Sequence, residues 1–226
     1  MAHAHYGQAG LMKKIEICSI PYRHIFIESF LTKEHAEEIL DHFPKENDPI
    51  WDLEGKKFFN KYGRKKEISS IEKIHPSYQR FIDIVSNVSF LQEISNLTEI
   101  DDLFFDFSLY GGGLNLYEPG SALDPHVDFN FNDQIKMYRA VNLIYYLNKD
   151  WKNDDGGQLL LCSSQGDTVK KIPPIFNSCV IFMPNNKTIH SVEKVRSKCR
   201  QSISVWYYTK NPPKDVDGLP SKTKWI

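Results

Sequence analysis

The sequence predicts a mainly β fold with flanking helices, an antiparallel sandwich or jelly roll, and three observations predict it. Residues 103–209 hold a succession of short runs rich in β-formers, clusters of Gly and Pro punctuate those runs, and the helical signals are confined to the first hundred residues. Helices and strands segregated in this way argue against the βαβα alternation of an α/β fold.

Residues 1–11, in which His3 and His5 alternate with alanine, read as a leader ahead of a second start at Met12. Thr32 is positioned to cap a helix over residues 33–43, where Ala36, Ile39, Leu40 and Phe43 fall at helical spacing and Pro44 ends the run. Pro76 suits the first turn of a second helix, and Ser89 with Gln92 forms a capping-box pattern for a third. Between them, residues 56–66 form a basic stretch with Phe58, Phe59 and Tyr62 interleaved, read as a solvated loop or a lid over a pocket. Strands are expected over 103–110, 114–117, 141–147, 158–162, 179–183, 190–195 and 201–209. Gly111-Gly112-Gly113, Pro119-Gly120, Asp155-Gly156-Gly157 and Pro173-Pro174 mark turns between them. The expected plan is a single domain over 12–226, with a helical support region over 12–102, the strand core over 103–209 and an irregular arm over 210–226.

Composition excludes several classes. With 41% hydrophobic and 25% charged residues the chain is an ordinary globular protein, neither disordered nor fibrous. A net charge of −1 gives no electrostatic case for nucleic acid or an acidic membrane surface. No apolar run is long enough for a spanning helix, so no membrane association is expected. Cys18, Cys162, Cys179 and Cys199 are widely spaced and lack any C-x-x-C, so they read as core thiols and a reducing cytoplasm is the expected location. Oligomeric state has no signature.

The chemistry concentrates in four residues. In an extended segment His126 and Asp128, at i and i+2, point to one side and can reach one ion together. A distant His190 completes two imidazoles and a carboxylate, a set that occupies one face of an octahedral iron and leaves positions open. Ten residues later stands Arg200, a permanent cation able to clamp a carboxylate through two parallel hydrogen bonds. In the run from Arg200 to Trp206, alternation puts Arg200, Ser202, Ser204 and Trp206 on one face and Gln201, Ile203 and Val205 on the other. An arginine and two hydroxyls facing inward would be costly in an apolar core, so that interior is expected to be polar and to hold a ligand.

With Tyr145-Tyr146-Leu147-Asn148-Lys149-Asp150-Trp151 and Gly156-Gly157-Gln158-Leu159 between the histidines, residues 103–209 resemble the prolyl 4-hydroxylase branch of the Fe(II)- and 2-oxoglutarate-dependent oxygenases. The likeness is to hypoxia-inducible-factor prolyl hydroxylase domains and their bacterial relatives. The resemblance implies a double-stranded β-helix core, a jelly-roll variant, and a dioxygenase that hydroxylates an unactivated C–H bond while releasing succinate and CO2. It implies Fe(II) on His126, Asp128 and His190, 2-oxoglutarate as co-substrate, O2 as oxidant, and ascorbate as a candidate reductant. Arg200 would pair with the distal carboxylate of 2-oxoglutarate, helped by the Tyr146 hydroxyl, with Ser204 in place of the threonine common in the family. Tyr117 would approach the inner carboxylate, though its spacing is one residue shorter than the pattern. Ile144 and Leu159 would be apolar walls, and Arg139 and Trp206 would stand near the substrate opening. Parity alone leaves Tyr145 and Tyr146 equivalent.

A peptidyl proline, a free amino acid, a sugar or another small metabolite all remain open as substrate. Two readings compete with the oxygenase. One is a zinc or manganese hydrolase or isomerase built on the same three ligands, which leaves Arg200 without work. The other is a non-catalytic jelly-roll binding module.

Overall fold

The structure, a computed structural model, describes residues 14–53, 55–60, 63–213 and 220–226, so the expected leader over 1–11 and Tyr62 lie outside the described residues. The elements run β1 (Lys14–Cys18), β2 (His24–Glu28), α1 (Lys33–Asp41), α2 (Ile50–Leu53), β3 (Gly55–Asn60), β4 (Gly63–Ile68), α3 (Pro76–Ser86) and α4 (Val88–Thr98). There follow β5 (Phe104–Phe105), β6 (Gly113–Tyr117), β7 (Leu123–Val127), β8 (Phe131–Asn132), β9 (Met137–Tyr146), β10 (Leu159–Cys162) and β11 (Thr168–Ile172). The last are β12 (Ser178–Phe182), β13 (His190–Val192), β14 (Arg200–Thr209) and β15 (Lys224–Trp225).

The strands form two antiparallel sheets. The larger runs β1-β2-β12-β9-β14-β6-β4-β3, with β5 added to β14 and β8 to β9, and the smaller runs β11-β10-β13-β7-β15. Tyr146, Val180 and Phe182 of the larger sheet pack on Leu159, Leu161 and Ile172 of the smaller, so the two sheets face each other across an apolar layer at one end. This is the expected jelly roll. The outer face of the larger sheet is covered by helices: Leu143, Tyr145, Ile203, Val205 and Tyr207 share one core with Tyr78, Phe81, Val85, Phe90 and Ile94 of α3 and α4. Tyr207 Oη donates to the Val85 carbonyl at 2.9 Å, tying strand to helix.

The helix ends are set by local hydrogen bonds. Thr32 Oγ1 accepts from His35 N at 3.3 Å and caps α1 as expected, and Pro76 opens α3. α4 differs: its cap is Asn87, whose Oδ1 accepts from Phe90 N at 2.8 Å, and Ser89 lies inside the helix. Asn87 also donates to the Ile84 carbonyl at 2.8 Å, so one amide closes α3 and opens α4.

Three further expectations are corrected. Residues 12–102 are not only helical support, because β1 to β4 lie within them and extend the larger sheet at both edges. The described residues of the basic stretch, 56–60 and 63–66, lie in paired antiparallel strands rather than a loop, joined through β4 to β6 in the register Lys65↔Tyr117 and Ile68↔Leu114. The strand expected over 103–110 shrinks to Phe104–Phe105, because Asp106 accepts hydrogen bonds from Ser108 N at 2.9 Å and Tyr110 N at 3.2 Å and turns the chain away. No helix among the described residues is long and apolar enough to cross a membrane.

Candidate metal and 2-oxoglutarate site

β7 and β13 are adjacent antiparallel strands whose register sets His126 directly opposite His190, and the two rings lie 4.3 Å apart by centroid. Asp128 follows just beyond β7. Its Oδ1 is 3.5 Å from His126 Nε2 and its Oδ2 3.3 Å from His190 Nε2, and the potential ligand atoms of all three residues lie within 4.8 Å of one another. Each imidazole is oriented from behind: Nδ1 of His126 is 2.8 Å from the Asp124 carbonyl and Nδ1 of His190 3.1 Å from that of Thr188. An Nδ1–H donated to a carbonyl leaves the Nε2 lone pair facing the cluster, the tautomer a metal needs. Asp128 Oδ2 is buried and has no hydrogen-bond donor among the described residues. Burial opposes its charge, but the adjacent imidazoles, His190 first and His126 after it, outweigh that and hold the carboxyl well below its usual range. A buried carboxylate oxygen lacking a donor, between two oriented imidazoles, fits a divalent cation.

The cluster opens into a pocket of about 770 Å³ between the sheets. β14 contributes Arg200, Ser202, Ser204 and Trp206 to its wall, the face that alternation assigned inward. Arg200 is 2% exposed. Its Nε donates to the Gly157 carbonyl at 2.8 Å, its Nη1 to Ser202 Oγ at 3.4 Å, and it makes no ion pair among the described residues. The rings of Tyr117 and Tyr146 lie 5.2 Å and 5.1 Å from its Cζ. Tyr146 Oη is buried without a hydrogen-bond partner among the described residues, whereas Tyr145 belongs to the helix-covered core and bonds Asn177 Oδ1 at 3.1 Å. That difference resolves the parity ambiguity in favour of Tyr146. Burial pushes the Tyr146 phenol up to about 12, with the Arg200 guanidinium opposing, so it remains a neutral donor. A buried unpaired guanidinium beside an unpaired phenolic O–H is a receptor for a carboxylate.

The other anticipated residues sit as follows. Ile144 and Leu159 line the pocket from facing sheets. Ser204 also lines it, but its hydroxyl accepts from Asn115 Nδ2 at 3.3 Å, and Ser202 is the hydroxyl in contact with Arg200. Arg139 reaches the pocket through an irregularity in β9: Tyr207 pairs with Val141 and Tyr208 with Arg139, so Ala140 is extra and reverses the alternation. Its guanidinium is sandwiched between the rings of Phe129 and Trp206, with Cζ 3.5 Å and 3.8 Å from their centroids.

Sequence reasoning missed several wall residues. Asn115 shares the inward parity of Tyr117, and Asn142 that of Ile144, so alternation could have found both. Lys65 and Glu67, 2.9 Å apart on β4, could not be found without knowing that the basic stretch is a hairpin. Burial opposes the Lys65 charge, but Tyr117 and Glu67 outweigh it and raise its pKa. The wall thus carries three cations, Lys65, Arg139 and Arg200, against the carboxylates of Asp128 and Glu67, a balance suited to an anionic ligand. Thr223 and Trp225 also line the pocket, so the expected irregular arm over 210–226 instead adds β15 to the smaller sheet.

Residues 112–208 match the family described as the 2OG-Fe(II) oxygenase superfamily. Prolyl 3-hydroxylase OGFOD1 of Xenopus laevis is 26% identical over 231 residues, covering 97% of this chain and 42% of that protein. The chain therefore spans less than half the length of that curated relative. A prolyl-4-hydroxylase crystal structure from Pseudomonas putida superposes with a TM-score of 0.57 at 18% identity, covering 82% of this chain and 91% of that one. A Trichoplax adhaerens prolyl hydroxylase in complex with a hypoxia-inducible-factor oxygen degradation domain peptide gives 0.56 at 20% identity, covering 82% and 83%. Fold and site together resemble those of the prolyl hydroxylase-like 2-oxoglutarate and Fe(II) oxygenases.

Proposed function

We propose that this chain is an Fe(II)- and 2-oxoglutarate-dependent oxygenase that hydroxylates a prolyl residue of a peptide or protein. One observation carries the reading: His126, Asp128 and His190 converge in the same pocket as Arg200, a buried cation with no carboxylate partner among the described residues. A zinc hydrolase would use the first three and leave Arg200 idle.

When bound, Fe(II) with 2-oxoglutarate and O2 supplies an oxidant able to take hydrogen from an unactivated C–H bond, the co-substrate leaving as succinate and CO2. His126, Asp128 and His190 would hold the metal. Arg200 and Tyr146 orient the co-substrate through its distal carboxylate, and Tyr117, register partner of Arg200, flanks it. Ile144 and Leu159 exclude water from the co-substrate's chain. Arg139 and Trp206 stand on the same wall and are assigned to the substrate, where the stacked guanidinium can donate a hydrogen bond to a peptide carbonyl. The peptide class rests on the prolyl hydroxylase likeness. The four cysteines are free thiols, which suits a reducing, cytoplasmic setting.

The test is succinate formation from 2-oxoglutarate with Fe(II), against a panel of proline peptides, free amino acids and sugars. Stimulation by peptides and hydroxyproline in the product support the proposal. Stimulation by amino acids or sugars alone overturns its substrate class.

A further inference from the structure

The segment from Pro125 to Asn130, which carries both His126 and Asp128, is held at its two ends by the same short stretch of C-terminal chain. Ile226 N donates to the Pro125 carbonyl at 2.9 Å, and Ser221 N donates to Asn130 Oδ1 at 2.6 Å. Between these anchors β15 pairs with β7 in the register Lys224↔Val127 and Trp225↔His126. Cross-strand partners share a face, and the Trp225 indole lies against the His126 imidazole, with centroids 5.0 Å apart and planes inclined by 38°.

β7 needs this support. In the smaller sheet it has β13 on one side only, and the ladder with β13 is irregular between His190 and Val192. Without β15, β7 would be an edge strand bearing a metal ligand, and past Val127 no ladder holds Asp128 until Phe131. Trp225 is 57% exposed, so it contributes little to the core, and its contact with His126 is not a by-product of burial.

We infer that residues 221–226 are a positioning element of the metal centre, in which Trp225 fixes the His126 ring and the paired anchors hold the His126–Asp128 segment in its ligating geometry. The inference rests on the proposed metal site and adds to it residues outside the strand core. Partners that orient a metal ligand from behind typically contribute on the order of 10–100-fold in metal affinity. Trp225 touches one ligand of three, so the lower end applies.

The experiment uses the metal-free full chain and Co(II) as probe, with affinity measured by calorimetry and ligand-field absorption recorded for each variant. Trp225→Ala is expected to weaken Co(II) binding about tenfold and to change the absorption spectrum, and Trp225→Phe, which keeps a ring against His126, to restore both. Ser221→Pro, which removes the donor to Asn130, is expected to weaken binding in the same direction. Because Trp225 is half exposed, thermal unfolding of the metal-free variants should stay close to that of the parent. Co(II) affinity and spectrum unchanged in Trp225→Ala and Ser221→Pro would overturn the inference while leaving the metal site standing. Absence of Co(II) binding by the parent chain would overturn both.

Discussion

Arg200 and Gly157 are in contact behind the pocket wall: the Arg200 Nε donates to the Gly157 carbonyl at 2.8 Å, and a Cβ on residue 157 would stand 3.0 Å from Arg200 Cδ and 3.1 Å from Trp151 Cζ2. Gly157 has φ +65°, a conformation that disfavours side chains, and the close approach excludes one as well. Gly157→Ala should therefore displace the guanidinium and weaken 2-oxoglutarate binding by about tenfold or more, with metal affinity retained. Calorimetric titration of each ligand separates the two effects, and equal 2-oxoglutarate affinity in variant and parent would refute the contact's importance.

Tyr146 has a buried hydroxyl with no hydrogen-bond acceptor among the described residues, and the co-substrate carboxylate is its proposed acceptor. Tyr146→Phe removes one hydrogen bond to a charged group, which is worth about 1.5–3 kcal/mol, or roughly ten- to a hundredfold in affinity. The expected outcome is a raised KM for 2-oxoglutarate with the metal site unchanged. Because the hydroxyl is unsatisfied without ligand, the metal-free variant should be no less stable than the parent, which thermal unfolding checks.

Asp128 supplies the one carboxylate of the metal cluster. Asp128→Asn keeps the size but removes the charge, so metal affinity should fall by at least an order of magnitude and succinate formation with it. Normal succinate production by that variant would remove Asp128 from the site.

Asp155 holds the turn that presents Gly156 and Gly157 to Arg200. Its Oδ1 accepts from the Ser197 hydroxyl, and its Oδ2 accepts from Lys152 N at 2.8 Å and pairs with Lys198 Nζ at 3.1 Å. The Ser197 hydrogen bond, followed by that from Lys152, holds its pKa down to about 2, below the ordinary 3.8. A depressed carboxyl stabilises the fold above its unfolded pKa and loses that contribution as pH falls through its folded pKa. Asp155→Asn should therefore be less stable than the parent at neutral pH, and the gap should close between pH 3.8 and about 2. Urea unfolding of both proteins at pH 7 and pH 2.5 measures it; a gap that persists undiminished in acid would count against this role.

Legibility in the sequence followed the length and regularity of each element. β14 alternates without interruption over its pocket half, so the inward face of Arg200, Ser202, Ser204 and Trp206 could be read directly, and the ten-residue step from His190 to Arg200 survived folding as one site. The extra residue Ala140 broke the parity that would have placed Arg139, which only the family pattern located. β7 contains Pro125, which ordinarily demotes a strand, and it pairs with β13 and β15, both distant in sequence. β15 itself has two residues, too few for periodicity to register, so the Trp225 contact on His126 existed only in three dimensions. The β3–β4 hairpin was obscured because Lys and Asn are poor strand formers and its pairing partner, β6, lies some fifty residues along the chain.

The central claim is that one pocket binds a metal and a dicarboxylate together, and anaerobic calorimetric titration of 2-oxoglutarate into the Fe(II)-loaded chain tests it most directly. The expected result is saturable binding that disappears when the metal is withheld and weakens by at least about tenfold in Arg200→Ala, since a charged hydrogen-bonded pair is lost. Binding that persists without metal, or that is equally strong in Arg200→Ala, would contradict the account.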